Sequence, residues 1–146
     1  MKLLTIIQAR YNSSRFPGKV LKKYKDISYL ELLIKRLQKS NKVRKIIVAA
    51  SHNPADNEIE KLCQKLKIFC FRGSEFDVID RYFQATKFFK AKNIVRVTAD
   101  CPLIDFKIVD EVIKNFFQRK VDYATNTMPP TFPDGMDVEV FNINSL

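Results

Sequence analysis

The sequence has 146 residues, a length typical of one compact domain. Lys and Arg number 26 against 16 Asp and Glu, and the formal net charge of +10 indicates an anionic partner, although nucleic acid, nucleotide phosphate and simple solubility all stay open. No apolar run approaches the roughly 20 residues that a membrane helix needs, and a single histidine argues against a multi-His metal site or a Ser-His-Asp triad. Three cysteines without a secretory signal or a CxxC pair favour reduced thiols in a cytoplasmic protein.

The predicted elements alternate between short apolar strands and amphipathic helices. In chain order, we expect a strand at residues 3–8, a helix at 28–38, a strand at 45–50, a helix starting at Asn53 and Pro54, a strand at 68–71, a helix at 77–90, a strand at 94–98, a helix with its apolar stripe over 108–117, and short strands at 123–126 and 138–141. A Pro-rich loop at 127–136 is expected to lack regular structure. The alternation predicts a single three-layer α/β/α domain over 1–146, with a mainly parallel sheet covered on both faces.

Ligands of such sheets bind beyond the carboxyl ends of the strands, so the loop at residues 9–19 (ARYNSSRFPGK) is the first candidate site. It contains neither GxGxxG nor GxxxxGK[ST]. Arg can grip phosphate with a bidentate fork, and Lys acts as a mobile point charge. Taken alone the loop is typical of a solvated basic surface, but its position after a strand favours a polyphosphate site. Its candidate cations and donors are Arg10, Arg15, Lys19, Asn12, Ser13 and Ser14.

Two later loops also carry candidate residues. Asp100 comes just past the fourth strand, where a carboxylate can hold Mg²⁺ against phosphate oxygens or can simply cap the next turn. Asp105, just before the fourth helix, is expected to be its N-cap. After the third strand, Arg72 is a candidate site residue, whereas Ser74 or Asp77 can serve as a helix cap.

Asp137 and Glu139 alternate along the last predicted strand, in DGMDVEV, so they are expected to share one face. They can bind a metal or sugar hydroxyls, or they can be edge-strand charges that discourage aggregation. Cys101 is expected to be a small buried filler, since nothing nearby argues for an activated thiol.

Four segments together resemble a known family. IIQARYNSSRFPGKVL, RGSEFDVIDRYFQA, VRVTADCPLID and FPDGMDVEVF are similar, in order and spacing, to the SpsF-type cytidylyltransferases of spore-coat polysaccharide biosynthesis, relatives of the KDO and acylneuraminate cytidylyltransferases. The resemblance implies a nucleotide-binding fold of the glycosyltransferase-A (nucleotide-diphospho-sugar transferase) kind. It also implies transfer of CMP from CTP to a sugar or sugar acid, with Mg²⁺ as cofactor and release of pyrophosphate.

The resemblance also implies roles for particular residues. Ala9 and Arg10 match the base and phosphate end of the pocket, and Arg72 and Ser74 match positions near the pyrimidine. Asp100 matches the family's metal-binding aspartate, while Asp137 and Glu139 match a substrate-side motif without a firm role. The residues matching triphosphate-binding positions are Ser13, Arg15 and Lys19, of which Arg15 and Lys19, with Asp100, are expected to be catalytic.

Family members are expected to extend beyond residue 146, and the further part to supply much of the sugar pocket, another metal carboxylate and a homodimer contact. CTP and a sugar or sugar acid are the expected partners, and neither nucleic acid nor a membrane is. The alternatives left open are a GTP- or UTP-using nucleotidyltransferase, a glycosyltransferase that binds a nucleotide-sugar, a basic nucleic-acid-binding module and a non-catalytic interaction domain.

Overall fold

The computed structural model describes residues 2–13 and 16–145. The strands are β1 Leu3–Gln8, β2 Lys23–Tyr24, β3 Ile27–Ser28, β4 Ile46–Ser51, β5 Phe69–Gly73, β6 Asn93–Thr98, β7 Tyr123–Thr125 and β8 Glu139–Asn142. The helices are α1 Tyr29–Leu37, α2 Asn57–Lys65, α3 Val78–Phe88 and α4 Phe106–Arg119, with short 3-10 turns at Lys19–Leu21, Pro54–Asp56 and Ile143–Ser145. None of the described helices is both long and apolar enough to cross a membrane.

Six strands form one sheet in the order β5-β4-β1-β6-β8-β7. The first four in that order are mutually parallel, while β8 is antiparallel to β6 and β7 is antiparallel to β8. The central strand β1 is buried on both faces: Leu3 and Ile7 pack into one apolar layer, Leu4 and Ile6 into the other. This confirms the predicted α/β fold with a mainly parallel sheet.

Helices cover the two faces unequally. The buried side chains of α1, α2 and α4 belong to the same apolar layer as Leu3, whereas Tyr82 and Ala85 of α3 belong to the layer of Leu4. The helix starts follow local capping chemistry. The Asp105 carboxylate accepts a hydrogen bond from the Lys107 N–H at 2.8 Å, which confirms the predicted cap. The Asp77 carboxylate accepts one from the Asp80 N–H at 2.8 Å, so of the two candidates Ser74 and Asp77 it is Asp77 that is the N-cap of α3.

The segment between the first loop and α1 differs from the prediction. It contains a two-residue hairpin, β2 with β3, which the sequence did not indicate because its residues are mostly polar and exposed and too few to alternate. The predicted N-cap Asn53 does accept a hydrogen bond from the Ala55 N–H at 2.9 Å, but it caps the 3-10 turn that precedes α2. The Pro-rich loop contains no helix or named strand, as expected.

Candidate functional site

A cavity of about 160 Å³ opens beyond the carboxyl ends of β1 and β6. Four of the predicted site residues line this cavity: Arg10, Ser13, Lys19 and Asp100. They come from two loops that are distant in the sequence, since Lys19 and Asp100 are separated by 81 positions. Parallel strands end at one edge of a sheet, and adjacent pairing of β1 with β6 therefore brings the two loops together. The complete lining is Gln8, Arg10, Ser13, Lys19, Val20, Thr98, Ala99 and Asp100.

The loop after β1 is held by hydrogen bonds to the Tyr11 backbone. The Tyr11 carbonyl accepts hydrogen bonds from the N–H groups of Ser13 at 3.0 Å and Gly18 at 2.8 Å. Gly18 has a φ of +70°, and a Cβ at this position would lie 3.0 Å from the Tyr11 ring. Glycine at this position therefore lets the loop close and places Lys19 beside the cavity.

The carboxylate of Asp56 also holds the same loop in place. Its side chain is 1% exposed, and one carboxylate oxygen accepts the Tyr11 N–H at 2.6 Å. The other oxygen accepts the Ser51 N–H at 2.7 Å and the Ser51 hydroxyl at 2.6 Å. Asp56 thus joins the loop to the end of β4. Sequence reasoning did not single it out, since an acidic residue in the first turn before a helix is commonplace.

Lys19 and Asp100 form an ion pair across the cavity, with 2.7 Å between Nζ and Oδ2. Burial, the largest single influence, acts to raise the pKa of Asp100, but the hydrogen bonds from Lys19 and Thr98 and the Lys19 charge together hold the pKa of Asp100 below its ordinary value. The carboxylate is therefore ionised at neutral pH. Its side chain stays 43% exposed, so its oxygens remain open to a cation from solution.

Asp137 and Glu139 line a second cavity of about 220 Å³. Glu139 forms an ion pair with Arg96 at 2.6 Å, an interaction that sequence reasoning missed although Arg96 is the one charged residue in the apolar run of β6. Thr98 lines both this cavity and the first one, so the two adjoin. The Cys101 thiol is buried as predicted. Burial raises its pKa, and the neighbouring charges of Asp100 and Asp137 act in the same direction.

The structure does not bring Arg72 or Ser74 into either of these cavities. The Arg72 guanidinium donates to the Ser51 carbonyl, to the Asn53 carbonyl at 2.9 Å and to the Glu60 carboxylate at 2.7 Å. These contacts connect β5 to the end of β4 and to α2, so the Arg72 guanidinium donors stabilise the fold here. The pyrimidine contact expected for Arg72 stays a prediction.

Ser74 and Ala9 also take part in local backbone structure. The Ser74 hydroxyl accepts the Asp77 N–H at 3.0 Å, and its carbonyl accepts a hydrogen bond from the buried Arg81 guanidinium at 2.9 Å. Ala9 is buried just past β1, where its N–H donates to the Ala49 carbonyl at 3.1 Å. Arg15 lies outside the described residues.

The donor set around Asp100 fits Mg²⁺. This ion is usually bound through one or two protein carboxylates, with water and substrate phosphate oxygens completing an octahedron, and not by an all-protein cage. Asp100 supplies one ionised and partly exposed carboxylate beside the cationic loop. Among residues 2–13 and 16–145 no group of three or more His, Cys, Asp and Glu side chains is placed to hold a metal alone.

A mainly parallel α/β sheet, with a cationic loop after its central strand and an ionised carboxylate after the neighbouring strand, defines a phosphate-ligand domain of the nucleotide-binding kind. A sequence profile of the cytidylyltransferases matches residues 4–146, and the chain belongs to that family.

Individual relatives agree with this assignment. The chain is 35% identical over 148 aligned residues to the spore coat polysaccharide biosynthesis protein SpsF of Bacillus subtilis, covering 99% of this chain and 60% of SpsF. A cytidylyltransferase from Leptospira borgpetersenii serovar Hardjo-bovis superposes with a TM-score of 0.94 at 37% identity, over 99% of this chain and 62% of that one. A CMP:2-keto-3-deoxy-manno-octonic acid synthetase solved with CTP shares the fold, with a TM-score of 0.79 at 15% identity, over 99% of this chain and 75% of that one. The chain thus spans about three fifths of the length of SpsF.

We expect Asp56→Ala to lower the free energy of unfolding by about 3 kcal/mol or more, because three donors, two of them buried, lose their shared carboxylate acceptor. Urea denaturation measures this loss. Asp56→Asn retains one acceptor oxygen and should cost less. A loss below about 1 kcal/mol for Asp56→Ala would contradict the assigned role of this carboxylate.

We expect the Lys19–Asp100 pair to contribute less than about 1 kcal/mol, because Asp100 is well exposed. Since the folded-state pKa of Asp100 lies below its ordinary value of 3.8, this contribution is present above that pH and is lost as the pH falls through the folded-state pKa. Thermal unfolding of wild type and Asp100→Asn between pH 7 and pH 2 should show a small gap that closes in acid (roughly below pH 4). Asp134→Asn, in an exposed turn, is the control and should show no gap.

Proposed function

We propose that this chain is the nucleotide-binding part of a Mg²⁺-dependent cytidylyltransferase, which transfers CMP from CTP to a sugar or sugar acid and releases pyrophosphate. The observation that carries the proposal is the convergence of Arg10, Ser13, Lys19 and Asp100 on one cavity. Membership of the cytidylyltransferase family supports CTP as the nucleotide. The relationship to SpsF supports a role in surface polysaccharide or glycoconjugate biosynthesis.

The chain's own residues supply binding and charge stabilisation. In transfer of a nucleotidyl group, a hydroxyl oxygen attacks the α-phosphorus in line, and negative charge grows on the phosphate oxygens and the leaving pyrophosphate. Arg10 and Lys19 place positive charge where that growth occurs, and Ser13 provides a hydroxyl donor. Mg²⁺ held by Asp100 would supply further charge neutralisation at the phosphates.

The Lys19–Asp100 ion pair balances the charges of the nucleotide cavity. Each group offsets the charge of the other, which limits the free-energy cost of holding two charges in a partly closed site. A triphosphate offers Lys19 a more highly charged partner, and Lys19 can then leave Asp100 for the phosphate oxygens. Asp100 becomes available to a divalent cation in the same exchange.

The adjoining cavity is the proposed place of the acceptor. Asp137, Glu139 and Arg96 line it with both signs of charge, which suits the hydroxyl and carboxylate groups of a sugar acid. Thr98 separates it from the nucleotide cavity, so an acceptor hydroxyl there lies next to the phosphate site. We propose a cytoplasmic enzyme that acts as a homodimer, following the family resemblance.

A thermal-shift comparison of CTP, GTP, UTP and ATP, each with Mg²⁺, tests the nucleotide. At a CTP concentration about 100 times the dissociation constant, binding to the folded state adds about 2.7 kcal/mol, which should raise Tm by several degrees. Equal stabilisation by all four nucleotides would remove the cytidylyl assignment and leave a general nucleotide site. A higher shift with GTP or UTP would move the proposal to another nucleotidyltransferase.

Asp100→Ala and Arg15→Ala should each lower the apparent affinity for CTP about tenfold or more. Asp100→Ala removes the carboxylate that lines the cavity, and Arg15→Ala removes the cation that the family resemblance assigns to the triphosphate. Isothermal titration calorimetry with CTP and Mg²⁺ measures this change. Lys23→Ala and Asp134→Ala, both in exposed positions outside the cavity, are the matched controls and should bind as wild type does. Global unfolding of the two site variants would show instead that these residues are structural.

A further inference from the structure

The edge of the sheet opposite the nucleotide cavity has a composition that the proposed activity does not use. Strands β1, β4, β5 and β6 are parallel, so their first residues lie at this edge together with the C-terminal ends of the helices that precede them. We define the basic edge as Lys2 and the segments 38–45, 66–68, 89–92 and 120–122. Asp122 is the one acidic residue within these segments.

The segment 38–45, between α1 and β4, contributes most of the charge. Lys39, Lys42, Arg44 and Lys45 are all exposed there. The carboxylate of Asp110 on α4 accepts hydrogen bonds from the Ser40 hydroxyl and from backbone N–H groups of the same segment. Its charge is therefore used to hold the segment, while the cationic side chains point outward.

Three other segments each place a lysine in the left-handed backbone region. Lys67, Lys90 and Lys120 have φ values of 57°, 50° and 51° at the ends of α2, α3 and α4. Glycine is the usual residue at such helix ends because it adopts this conformation without strain. A cation near a helix C-terminus interacts favourably with the helix dipole, which accounts for these lysines individually. The dipole does not account for the further exposed cations of 38–45.

Exposed aromatic rings accompany the cations. Phe69, the first residue of β5, is 43% exposed, and Phe88, at the end of α3, is 61% exposed. Their rings stack with centroids 5.5 Å apart, and Phe89 packs edge-on against Phe69 at 5.1 Å. Lys45 lies over the Phe89 ring, with Nζ 5.0 Å from its centroid. The exposed rings of Phe69 and Phe88 therefore place apolar surface directly beside the positive charge of the basic edge.

A second such combination lies next to β1. Lys2 Nζ is 4.8 Å from the centroid of Phe117, beside an open cavity of about 310 Å³. Lys42, Arg44 and Lys114 also line this cavity, and its lining contains no carboxylate. The cavity can therefore receive an anionic group at its rim and an apolar group against its aromatic wall.

We propose that the basic edge docks on an anionic phospholipid bilayer. Lysine and arginine near a membrane surface are attracted to anionic headgroups, and aromatic rings among them can enter the interfacial layer. A nucleic acid fits less well, because Phe69 and Phe88 stack on each other and do not offer separate faces to bases. The proposal departs from the sequence-based expectation that no membrane is among the partners. A peripheral contact of this kind needs no long apolar run.

The orientation that follows places the nucleotide cavity away from the bilayer. The cavity lies at the carboxyl ends of β1 and β6, at the other end of the same strands. Docking through the basic edge thus leaves the Lys19–Asp100 side open to solution. The inference is independent of which nucleotide the cavity binds.

Flotation of the protein with vesicles tests the proposal. Vesicles of phosphatidylcholine containing about one third phosphatidylglycerol should carry the protein upward at about 0.1 M salt, and pure phosphatidylcholine vesicles should not. Raising the salt to about 0.5 M should weaken binding because the attraction is screened. The triple variant Lys42→Glu/Arg44→Glu/Lys45→Glu should bind at least about tenfold more weakly, since each basic residue contributes separately. Phe88→Ser should weaken binding while leaving its salt dependence unchanged.

The matched control is Lys22→Glu/Lys23→Glu/Lys25→Glu, which makes the same change in net charge next to and within the hairpin at the opposite edge. It should bind vesicles as wild type does, and melting temperatures should show that both triple variants are folded. Equal loss in the two triple variants would overturn the proposal, because net charge alone would then govern binding. It would also be overturned if wild type ignored anionic vesicles, or if it bound RNA at physiological salt while ignoring them.

Discussion

The candidate site depends on one buried carboxylate. Asp56 accepts hydrogen bonds from the Tyr11 N–H and from both donors of Ser51, and it is almost completely withdrawn from water. Charge-assisted hydrogen bonds to a buried acceptor are short and costly to break, so the start of the loop has little freedom relative to β4. The Tyr11 carbonyl in turn accepts hydrogen bonds from the N–H groups of Ser13 and Gly18. The positions of Arg10 and Lys19 beside the cavity therefore depend on Asp56, whose hydrogen bonds go to Tyr11 and Ser51.

Within this site, cationic side chains are paired with carboxylates. Lys19 faces Asp100, and Arg96 faces Glu139, so each of the two adjoining cavities contains one ion pair. Arg10 adds a cation to the first cavity, and Asp137 adds a carboxylate to the second. Solvent-exposed ion pairs contribute little net free energy, so a ligand of higher charge can displace one partner. This arrangement reconciles a strongly basic chain with a site whose own charges nearly cancel. Most of the excess positive charge lies elsewhere, above all on the basic edge.

Much of the fold and part of the site could be predicted from the sequence. Apolar runs such as LLTIIQ and the caps Asp77 and Asp105 report local physics, and the structure confirms them. Residues directly after a strand, such as Arg10 and Asp100, could also be placed, because parallel strands end at a common edge. The β2–β3 hairpin could not be predicted, since two-residue strands carry no periodicity. Asp56 and Arg96 were missed because their importance arises from partners on neighbouring strands and loops.

The position of Thr98 between the two cavities has a consequence for how the product would bind. Thr98 lines both cavities, so the groups that would receive the nucleotide lie next to those that would receive the acceptor. On the proposed function, each substrate would occupy one cavity, whereas the nucleotide-sugar product would span both cavities. The product would then make the contacts of both cavities at once, whereas each substrate alone makes those of one cavity. Only the contacts to the departed pyrophosphate would be lost. On the proposed function, we would then expect product release to limit turnover, and accumulating product to inhibit the enzyme.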